Sequence, residues 1–162
     1  MIGYVHTRYS ARPFDEVERE INAYKNWYSV DGMFVDEVST DLAHIAYYRQ
    51  VASYVRARPG GFVVLNSGTF PHEEYAQLAD VLCVFDGSHS DHVIRQLPEW
   101  VFGYPAAKFW HIVYDAATTE AMKQSVAASK HRNAGYVYVT DGRLPNPFGQ
   151  LPSYWLDELS EA

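Results

Sequence analysis

Residues 3–38 read GYVHTRYSARPFDEVEREINAYKNWYSVDGMFVDEV and predict a strand, a helix and a second strand in that order. The predicted strands, residues 3–6 and 32–36, are short runs rich in aromatic and β-branched side chains. Between them, apolar residues recur at the spacing of one helix face behind Pro13, which suits the first helical position. These apolar residues are Phe14, Val17, Ile21, Tyr24 and Tyr28. The segment is typical of a βαβ unit whose amphipathic helix buries one face.

The same alternation of strand and helix continues along the rest of the sequence. Further strands are predicted at residues 62–66, 81–85, 108–113 and 135–139. Further helical stretches are predicted at residues 42–58, 73–79, 92–97, 118–131 and 154–159. Six strand-then-helix units result, and this alternation predicts an α/β protein with a parallel sheet.

Two parallel architectures fit this alternation, an open doubly wound sheet and a (β/α)8 TIM barrel. Polar residues follow several of the predicted strands, as on the active face of a barrel, whereas an open sheet gathers its site at one switch point. The sequence contains no GxGxxG or GxxxxGK[ST] phosphate loop, so the barrel is favoured. A closed barrel needs eight units and roughly 200 residues or more. We therefore expect one TIM-barrel domain over residues 1–162 that lacks the first two βα units.

Composition and charge exclude several classes of protein. Lys+Arg number 13 against 20 Asp+Glu, and the net charge of −7 disfavours nucleic acid and anionic membranes as partners. The apolar fraction of 48% and the 13 Tyr, 8 Phe and 4 Trp exclude a disordered chain. Cys83 is the single cysteine, so neither an intramolecular disulfide nor a CxxC site is predicted. No apolar run approaches the roughly 18 residues of a membrane helix, and the first residues lack the layout of a signal peptide.

Several motifs resemble the spherulin 4 family, also called spherulation-specific family 4. Residues 3–38 resemble the family's central region, and their Asp-Gly-(apolar)-Phe-(apolar)-Asp-Glu strand, residues 31–37, is the most specific part. Asn66-Ser67-Gly68 after the third strand, the strand over residues 79–86 and the closing NPFGQLPSYW are further matches. The resemblance covers essentially the whole chain in order.

This resemblance implies a fold, an activity and a location. Family members characterised as enzymes are glycoside hydrolases that cleave galactosaminogalactan-type polysaccharide at α-1,4-linked N-acetylgalactosamine. They do so on a TIM barrel without a metal or another cofactor. Family members also begin with two further βα units, and an extracellular location is implied. The expected partner is therefore a polysaccharide substrate, and the unpaired barrel edge at residues 3–6 is expected to favour self-association.

Three acidic residues are the catalytic candidates. The resemblance places Asp36 and Glu37 in the active-site groove, and it places a Glu at the strand end where this sequence has Asp86. Glycosidic cleavage needs one carboxylic acid and one carboxylate. Adjacent strand residues point to opposite faces, so Asp36 and Glu37 can serve one site only if the backbone turns at the strand end or one of them acts from the rim. The alternatives are an acidic helix start for the pair and an Asp-Gly turn for Asp86.

Other polar and aromatic residues are candidates for binding sugar. His6 and Asn66 end predicted strands and can bond to hydroxyl groups, although His6 could equally be an interior histidine. Three aromatic residues could stack on a pyranose or belong to the core, namely Trp110, Tyr114 and Tyr138.

Several other polar residues are interpreted as structural. His89 and His92 are interpreted as solvated surface rather than metal ligands. Asp115 and Asp141 are expected to cap the helices that follow them. Ser67 lacks the G-x-S-x-G setting of a nucleophile.

The sequence leaves three classes of function open. The leading hypothesis is a glycoside hydrolase acting on an amino-sugar polysaccharide. The second is a non-catalytic carbohydrate-binding or cell-surface structural protein on the same fold. The third is a hydrolase for another bond, such as an amide or ester, which would need a nucleophile with a hydrogen-bonded histidine in the same cleft.

Overall fold

The computed structural model describes residues 1–161, in which parallel strands alternate with helices. The strands are β1 (Ile2–His6), β2 (Gly32–Asp36), β3 (Phe62–Asn66), β4 (Val81–Ser88), β5 (Phe109–Tyr114) and β6 (Tyr136–Val139). The α-helices are α1 (Phe14–Tyr28), α2 (Ile45–Arg56), α3 (His89–Ile94), α4 (Thr119–His131) and α5 (Trp155–Glu161). Short 3-10 helices cover Leu42–His44, Glu73–Gln77, Glu99–Gly103 and Ala106–Lys108. The α/β prediction with six strands is confirmed for the described residues.

Strand order follows chain order, from β1 to β6. β1 pairs with β2 in parallel, with Val5 opposite Val35 and His6 opposite Asp36. β2 pairs with β3, and β3 pairs with the first residues of β4, again in parallel. β5 and β6 form a further parallel pair. The chain divides into two compact units, Met1–Val84 and the part that begins at Phe85.

The first unit is built on the βαβ pattern of residues 3–38. Val17 and Ile21 on α1 and Val5 and Val35 on the strands are fully buried. Gly32 begins β2 because the strands come close there, and a Cβ at this position would lie 2.1 Å from the carbonyl oxygen of Phe62. The periodicity of α1 therefore predicts the burial of Val17 and Ile21 correctly, whereas Tyr28 at the end of the helix is 57% exposed.

The second unit has its own apolar core between helices and strands. Its members are Phe85, Val113, Ala116, Met122, Val126, Val139 and Tyr154. Next to Phe85, the imidazole rings of His92 and His111 are buried, with ring centroids 4.7 and 6.1 Å from the phenyl ring. Ser129 Oγ lies 3.0 Å from His111 Nδ1. This part of the core is polar and relies on hydrogen bonds rather than on apolar contacts alone.

The structure corrects two predictions in this region. β4 continues to Ser88 instead of ending at residue 85, so the Asp86-Gly87 pair lies within a strand and not in a turn. α3 then begins at His89 rather than at residue 92, because Ser88 Oγ caps it by accepting a hydrogen bond from the Asp91 amide. The earlier start carries His92 inward, so its interpretation as solvated surface is wrong.

Other boundaries differ by a few residues. The helical stretch predicted at residues 73–79 is a 3-10 helix, Glu73–Gln77, and Pro13 precedes α1 as its N-cap rather than occupying the first helical position. No helix within residues 1–161 is both long enough and apolar enough to cross a membrane.

Candidate functional site

The carboxyl ends of β1, β2 and β3 bring four predicted residues into one hydrogen-bonded cluster. His6 and Asp36 are the last residues of β1 and β2, and they are register partners. Asn66 is the last residue of β3, and its Nδ2 donates to Asp36 Oδ1 at 2.9 Å. Glu37 follows β2 directly, and its Oε2 lies 3.1 Å from His6 Nδ1. We refer to His6, Asp36, Glu37 and Asn66 as the carboxylate cluster.

The backbone turns at Glu37, which is how two consecutive acids join the same cluster. Glu37 has a φ of 53°, in the left-handed region, so the alternation of the strand ends at Asp36. A residue with a Cβ in this conformation costs about 1–2 kcal/mol, and such positions concentrate at functional sites. The turn that Asp36 and Glu37 need in order to serve one site is therefore present.

Asp36 is surrounded by hydrogen-bond donors. Its Oδ1 accepts from the Glu37 amide at 2.8 Å as well as from Asn66, and its Oδ2 accepts from the Tyr4 hydroxyl at 2.8 Å. Donors of this kind fix the orientation of the carboxyl group. The Asp36 carboxyl group is therefore held in one orientation.

Glu37 has different hydrogen-bond partners from Asp36, and its carboxylate is partly exposed. Its side chain is 39% exposed, and that of His6 is 33% exposed. Besides the contact with His6, Glu37 Oε2 accepts a hydrogen bond from the Arg8 amide at 3.1 Å. A carboxyl group with one side open to solvent can exchange a proton with a bound ligand. The two acids are thus distinguished by their surroundings.

The loop after β1 is tied to the Glu37 turn. The Tyr9 amide donates to the Glu37 carbonyl at 2.7 Å, and the buried Thr7 hydroxyl donates to the same carbonyl at 2.8 Å. Thr7 Oγ1 also lies 3.0 Å from the hydroxyl of the buried Tyr48 on α2. Burial raises the pKa of Tyr48, so this hydroxyl keeps its proton at neutral pH. The loop and the turn therefore hold each other in place.

Arg12 anchors the same loop from the side of α1. Its guanidinium group donates to the His6 carbonyl at 2.9 Å and to both oxygens of Glu20, at 2.6 and 3.0 Å. The hydrogen bond to Arg12 lowers the pKa of Glu20, as expected for the acid of an ion pair. The main chain of His6 is thereby fixed to α1.

Tyr4 is a member of the site that sequence reasoning missed. Its hydroxyl donates to Asp36, and its pKa is raised by burial and then by that hydrogen bond. The signal was available in the strand period, because residues 4 and 6 of one strand lie on the same face. An aromatic residue two positions before His6 was therefore a candidate for the same cluster.

The second unit carries the other predicted site residues. Asp86 is half-buried and lies two residues before the end of β4. Trp110 is the second residue of β5, and Tyr114 is its last. Tyr138 is in β6, with its ring centroid 6.4 Å from that of Phe148 and 6.3 Å from that of Trp155. Tyr114 therefore ends a strand that extends one residue beyond its predicted end, whereas Trp110 lies near the start of the same strand.

The two acids that were expected to cap helices have other partners. Asp115 forms an ion pair with Arg143 at 2.7 Å, and α4 is capped by Thr118 instead. Asp141 accepts a hydrogen bond of 2.6 Å from Ser153 Oγ, just ahead of α5. The expectation is therefore wrong for Asp115, because a threonine three residues later supplies the cap.

Within residues 1–161, no group of three or more His, Cys, Asp and Glu side chains is arranged to hold a metal ion. A cavity of about 390 Å³ in the first unit is lined by residues that include Lys25, Asp31, Arg58 and Gly60. Asp31 and Gly60 precede β2 and β3, so this cavity lies at the amino ends of the strands. The carboxylate cluster is at the opposite ends.

Comparison with known proteins places the chain in a family. Residues 1–162 match spherulation-specific family 4. Spherulin-4 of Physarum polycephalum is 30% identical over 172 residues, which cover 99% of this chain and 51% of that protein. The chain thus spans about half the length of the curated relative that it matches.

A solved structure shares the fold. The crystal structure of Aspergillus clavatus Sph3 in complex with GalNAc superimposes with a TM-score of 0.82 at 22% identity, over 99% of this chain and 70% of that chain. This likeness confirms the predicted fold class, a TIM-barrel-like α/β fold. The match over its whole length shows that the chain belongs to spherulation-specific family 4.

Proposed function

We propose that this chain binds an amino-sugar polysaccharide at the carboxylate cluster and hydrolyses its glycosidic bonds with Asp36 and Glu37. The observation that carries the proposal is the left-handed turn at Glu37, which joins two consecutive carboxylates to one cluster. Paired carboxylates in different surroundings are the chemical requirement of glycoside hydrolysis. The GalNAc in the Sph3 complex supports an N-acetylgalactosamine-containing ligand. The family resemblance implies an α-1,4-linked polymer of the galactosaminogalactan type as substrate.

The two acids have separate roles in this proposal. Asp36 accepts hydrogen bonds from Tyr4, Asn66 and the Glu37 amide, so it serves as the carboxylate that stabilises positive charge developing on the sugar ring. Glu37, whose side chain is 39% exposed, gives its proton to the glycosidic oxygen as the bond breaks. A water molecule then bonds to the anomeric carbon and gives one of its protons to Glu37, which leaves a hydroxyl group on the sugar and restores the acid. His6 keeps the Glu37 carboxyl oriented through its Nδ1 contact.

One observation favours the second candidate, a carbohydrate-binding or cell-surface structural protein. The family resemblance places a Glu at the position of Asp86, and an Asp reaches about 1 Å less far, a displacement that can cost on the order of 100-fold in rate. Binding of sugar at the carboxylate cluster would not need the longer acid. Measurement of both binding and cleavage of the polymer, as described below, distinguishes the two candidates.

An ester or amide hydrolase has less support. Ser39 Oγ lies 2.8 Å from His44 Nδ1, but Ser39 is only 7% exposed and its Oγ also accepts from the Asp41 amide. These contacts organise the loop before α2 and leave the hydroxyl poorly placed for attack on a substrate.

Replacement of the proton donor tests the proposal. The Glu37→Gln variant keeps a similar side-chain shape and its acceptor oxygen, so we expect the fold to persist while cleavage of galactosaminogalactan falls by about 100-fold or more. Asp115→Asn removes an acid of the second unit that pairs with Arg143, and it should leave cleavage unchanged. Release of reducing ends measures activity, and circular dichroism checks the fold.

The alternatives predict other results. Equal losses in the two variants would show that Glu37 has no special role. A wild-type chain that binds the polymer without cleaving it would favour the carbohydrate-binding protein.

A further inference from the structure

The loop between β1 and α1 contains an unusual run of backbone conformations beside Glu37. Arg8, Tyr9 and Ser10 are consecutive non-glycine residues with φ values of 47°, 55° and 75°. L-residues visit the left-handed region singly as a rule and seldom in succession. Such conformations persist when the surroundings impose them, and they concentrate at ligand sites. The run therefore requires an explanation beyond a simple connection.

Hydrogen bonds to the catalytic candidate hold the run in place. The Arg8 amide donates to Glu37 Oε2 at 3.1 Å, and the Tyr9 amide donates to the Glu37 carbonyl at 2.7 Å. The loop closes on itself through the Arg12 amide, which donates to the Thr7 carbonyl at 3.1 Å. The backbone of Tyr9 is thus fixed next to Glu37.

The side chain of Tyr9 remains exposed even though its backbone is fixed. Tyr9 is 62% exposed, whereas the preceding Thr7 is fully buried. A tyrosine offers a broad, rigid contact surface and loses little conformational entropy when it is covered by a ligand. Residues on loops that a rigid scaffold positions are commonly the ones that contact substrate. An exposed aromatic ring on a fixed backbone beside a carboxylate is suited to receive a sugar ring.

We infer that Tyr9 contacts the substrate directly and provides a stacking surface for a sugar ring next to Glu37. This inference rests on the proposed function and adds a specificity-determining residue to it. The ring packs against the apolar face of a pyranose, while the carboxylate cluster interacts with the polar groups of the sugar. The fixed geometry of the loop holds the stacking surface at a set position relative to the proton donor.

Substitution of Tyr9 tests this inference with N-acetylgalactosamine oligosaccharides of α-1,4 linkage as the probe. We expect Tyr9→Ala to weaken binding by about 10-fold, because it removes the stacking surface. Tyr9→Phe keeps the ring and should bind within about two-fold of wild type. Alanine retains a Cβ in the same backbone conformation, so the loop is under the same constraint. The matched control is Tyr28→Ala at the end of α1, where the tyrosine is 57% exposed, and it should not change binding.

The outcomes separate this inference from the proposed function. Calorimetry in the Glu37→Gln background gives the dissociation constants without turnover, and KM values for cleavage give a second readout with otherwise wild-type protein. If Tyr9→Ala and Tyr28→Ala bind alike, the role of Tyr9 is refuted and the proposed function stands. If Tyr9→Phe loses as much binding as Tyr9→Ala, stacking is refuted as well. If the wild-type chain neither binds nor cleaves these sugars, the proposed function fails and the inference fails with it.

Discussion

At the scale of single residues, the surroundings of a carboxylate decide what it can do. Asp36 and Glu37 are neighbours in sequence, yet Asp36 accepts hydrogen bonds from Tyr4 and from the Glu37 amide, while the Glu37 carboxylate contacts His6. The difference arises because β2 ends between them and the backbone enters the left-handed region at Glu37. One peptide unit thus gives two carboxylates different hydrogen-bond partners.

Asp86 provides a test at the same scale. Asp86→Glu restores the acid that the family resemblance implies at this strand and adds one methylene at a half-buried position. If the Asp86 side chain is too short to reach the substrate, cleavage should rise in the variant. The increase can reach the order of 100-fold, which is the effect that placement of a catalytic group can have. If the site is instead adapted to an aspartate at position 86, cleavage should fall.

Initial rates on galactosaminogalactan for the Asp86→Glu variant and wild type measure this effect. We expect cleavage to fall in the variant, because the assembled cluster of His6, Asp36, Glu37 and Asn66 indicates a site that is already active with an aspartate at position 86. Unchanged rates in the variant would remove Asp86 from the catalytic candidates.

At the scale of elements, the segment before α1 connects the site to the helix. The Arg12 side chain is only 10% exposed and bridges the His6 carbonyl, Glu20 and Glu16. Removal of the Arg12 side chain would leave the His6 carbonyl and the Glu20 carboxylate without their cationic partner. The cost of such a loss exceeds that of an exposed ion pair.

We therefore expect Arg12→Ala to lower the free energy of unfolding by about 2 kcal/mol. The control is Arg19→Ala, because the Arg19–Asp15 pair has side chains 72% and 75% exposed. This control should cost no more than about 0.5 kcal/mol. Urea denaturation compares the two variants, and similar losses would contradict the anchoring role of Arg12.

The second unit makes a pH prediction through its buried histidines. His92 Nε2 and His111 Nδ1 are 3.1 Å apart, and burial lowers the pKa of His92 to about 4 and that of His111 to about 3. In the unfolded chain both groups have pKa values of about 6.5 and bind protons first as the pH falls. The unfolded state then binds more protons than the folded state, so stability is lost as the pH falls below about 6.5 towards 4.

Each histidine contributes up to about 1.4 kcal/mol per pH unit to this loss. Urea denaturation between pH 7 and pH 5 measures the slope. His92→Gln and His111→Gln should reduce the slope even if they lower stability at pH 7, whereas His131→Gln replaces an exposed histidine at the end of α4 and should not change it. Identical slopes in all of these variants would show that the buried pair does not control the acid sensitivity.

At the scale of the whole molecule, the first strand has an edge that can pair with another chain. Within residues 1–161, β1 pairs with β2 alone. Ile2 is 37% exposed and Tyr4 is 47% exposed, so apolar surface accompanies the edge. Edges of this kind promote association between chains.

We expect the 162-residue chain to self-associate at micromolar concentration in sedimentation velocity. Ile2→Lys places a charge on the edge strand and should reduce association. Leu156→Lys changes a residue of α5 that is 80% exposed and serves as the control. A chain that remains monomeric over the whole concentration range would refute association through β1.

The sequence by itself determined the order of elements, the burial of Val17 and Ile21 on α1 and the strand ends that carry His6, Asp36 and Asn66. These features follow from local periodicity, because a strand alternates every two residues and a helix every 3.6. Tertiary structure decided the burial of His92, the extension of β4 through Asp86 and the hydrogen bond from the Tyr4 hydroxyl to Asp36. It also fixed the left-handed turns at Glu37 and at residues 8–10, which the hydrogen bonds between the β1–α1 loop and Glu37 help to hold. Such contacts join residues about 30 positions apart, and no local pattern encodes them, because their energy exists only once both strands are in place.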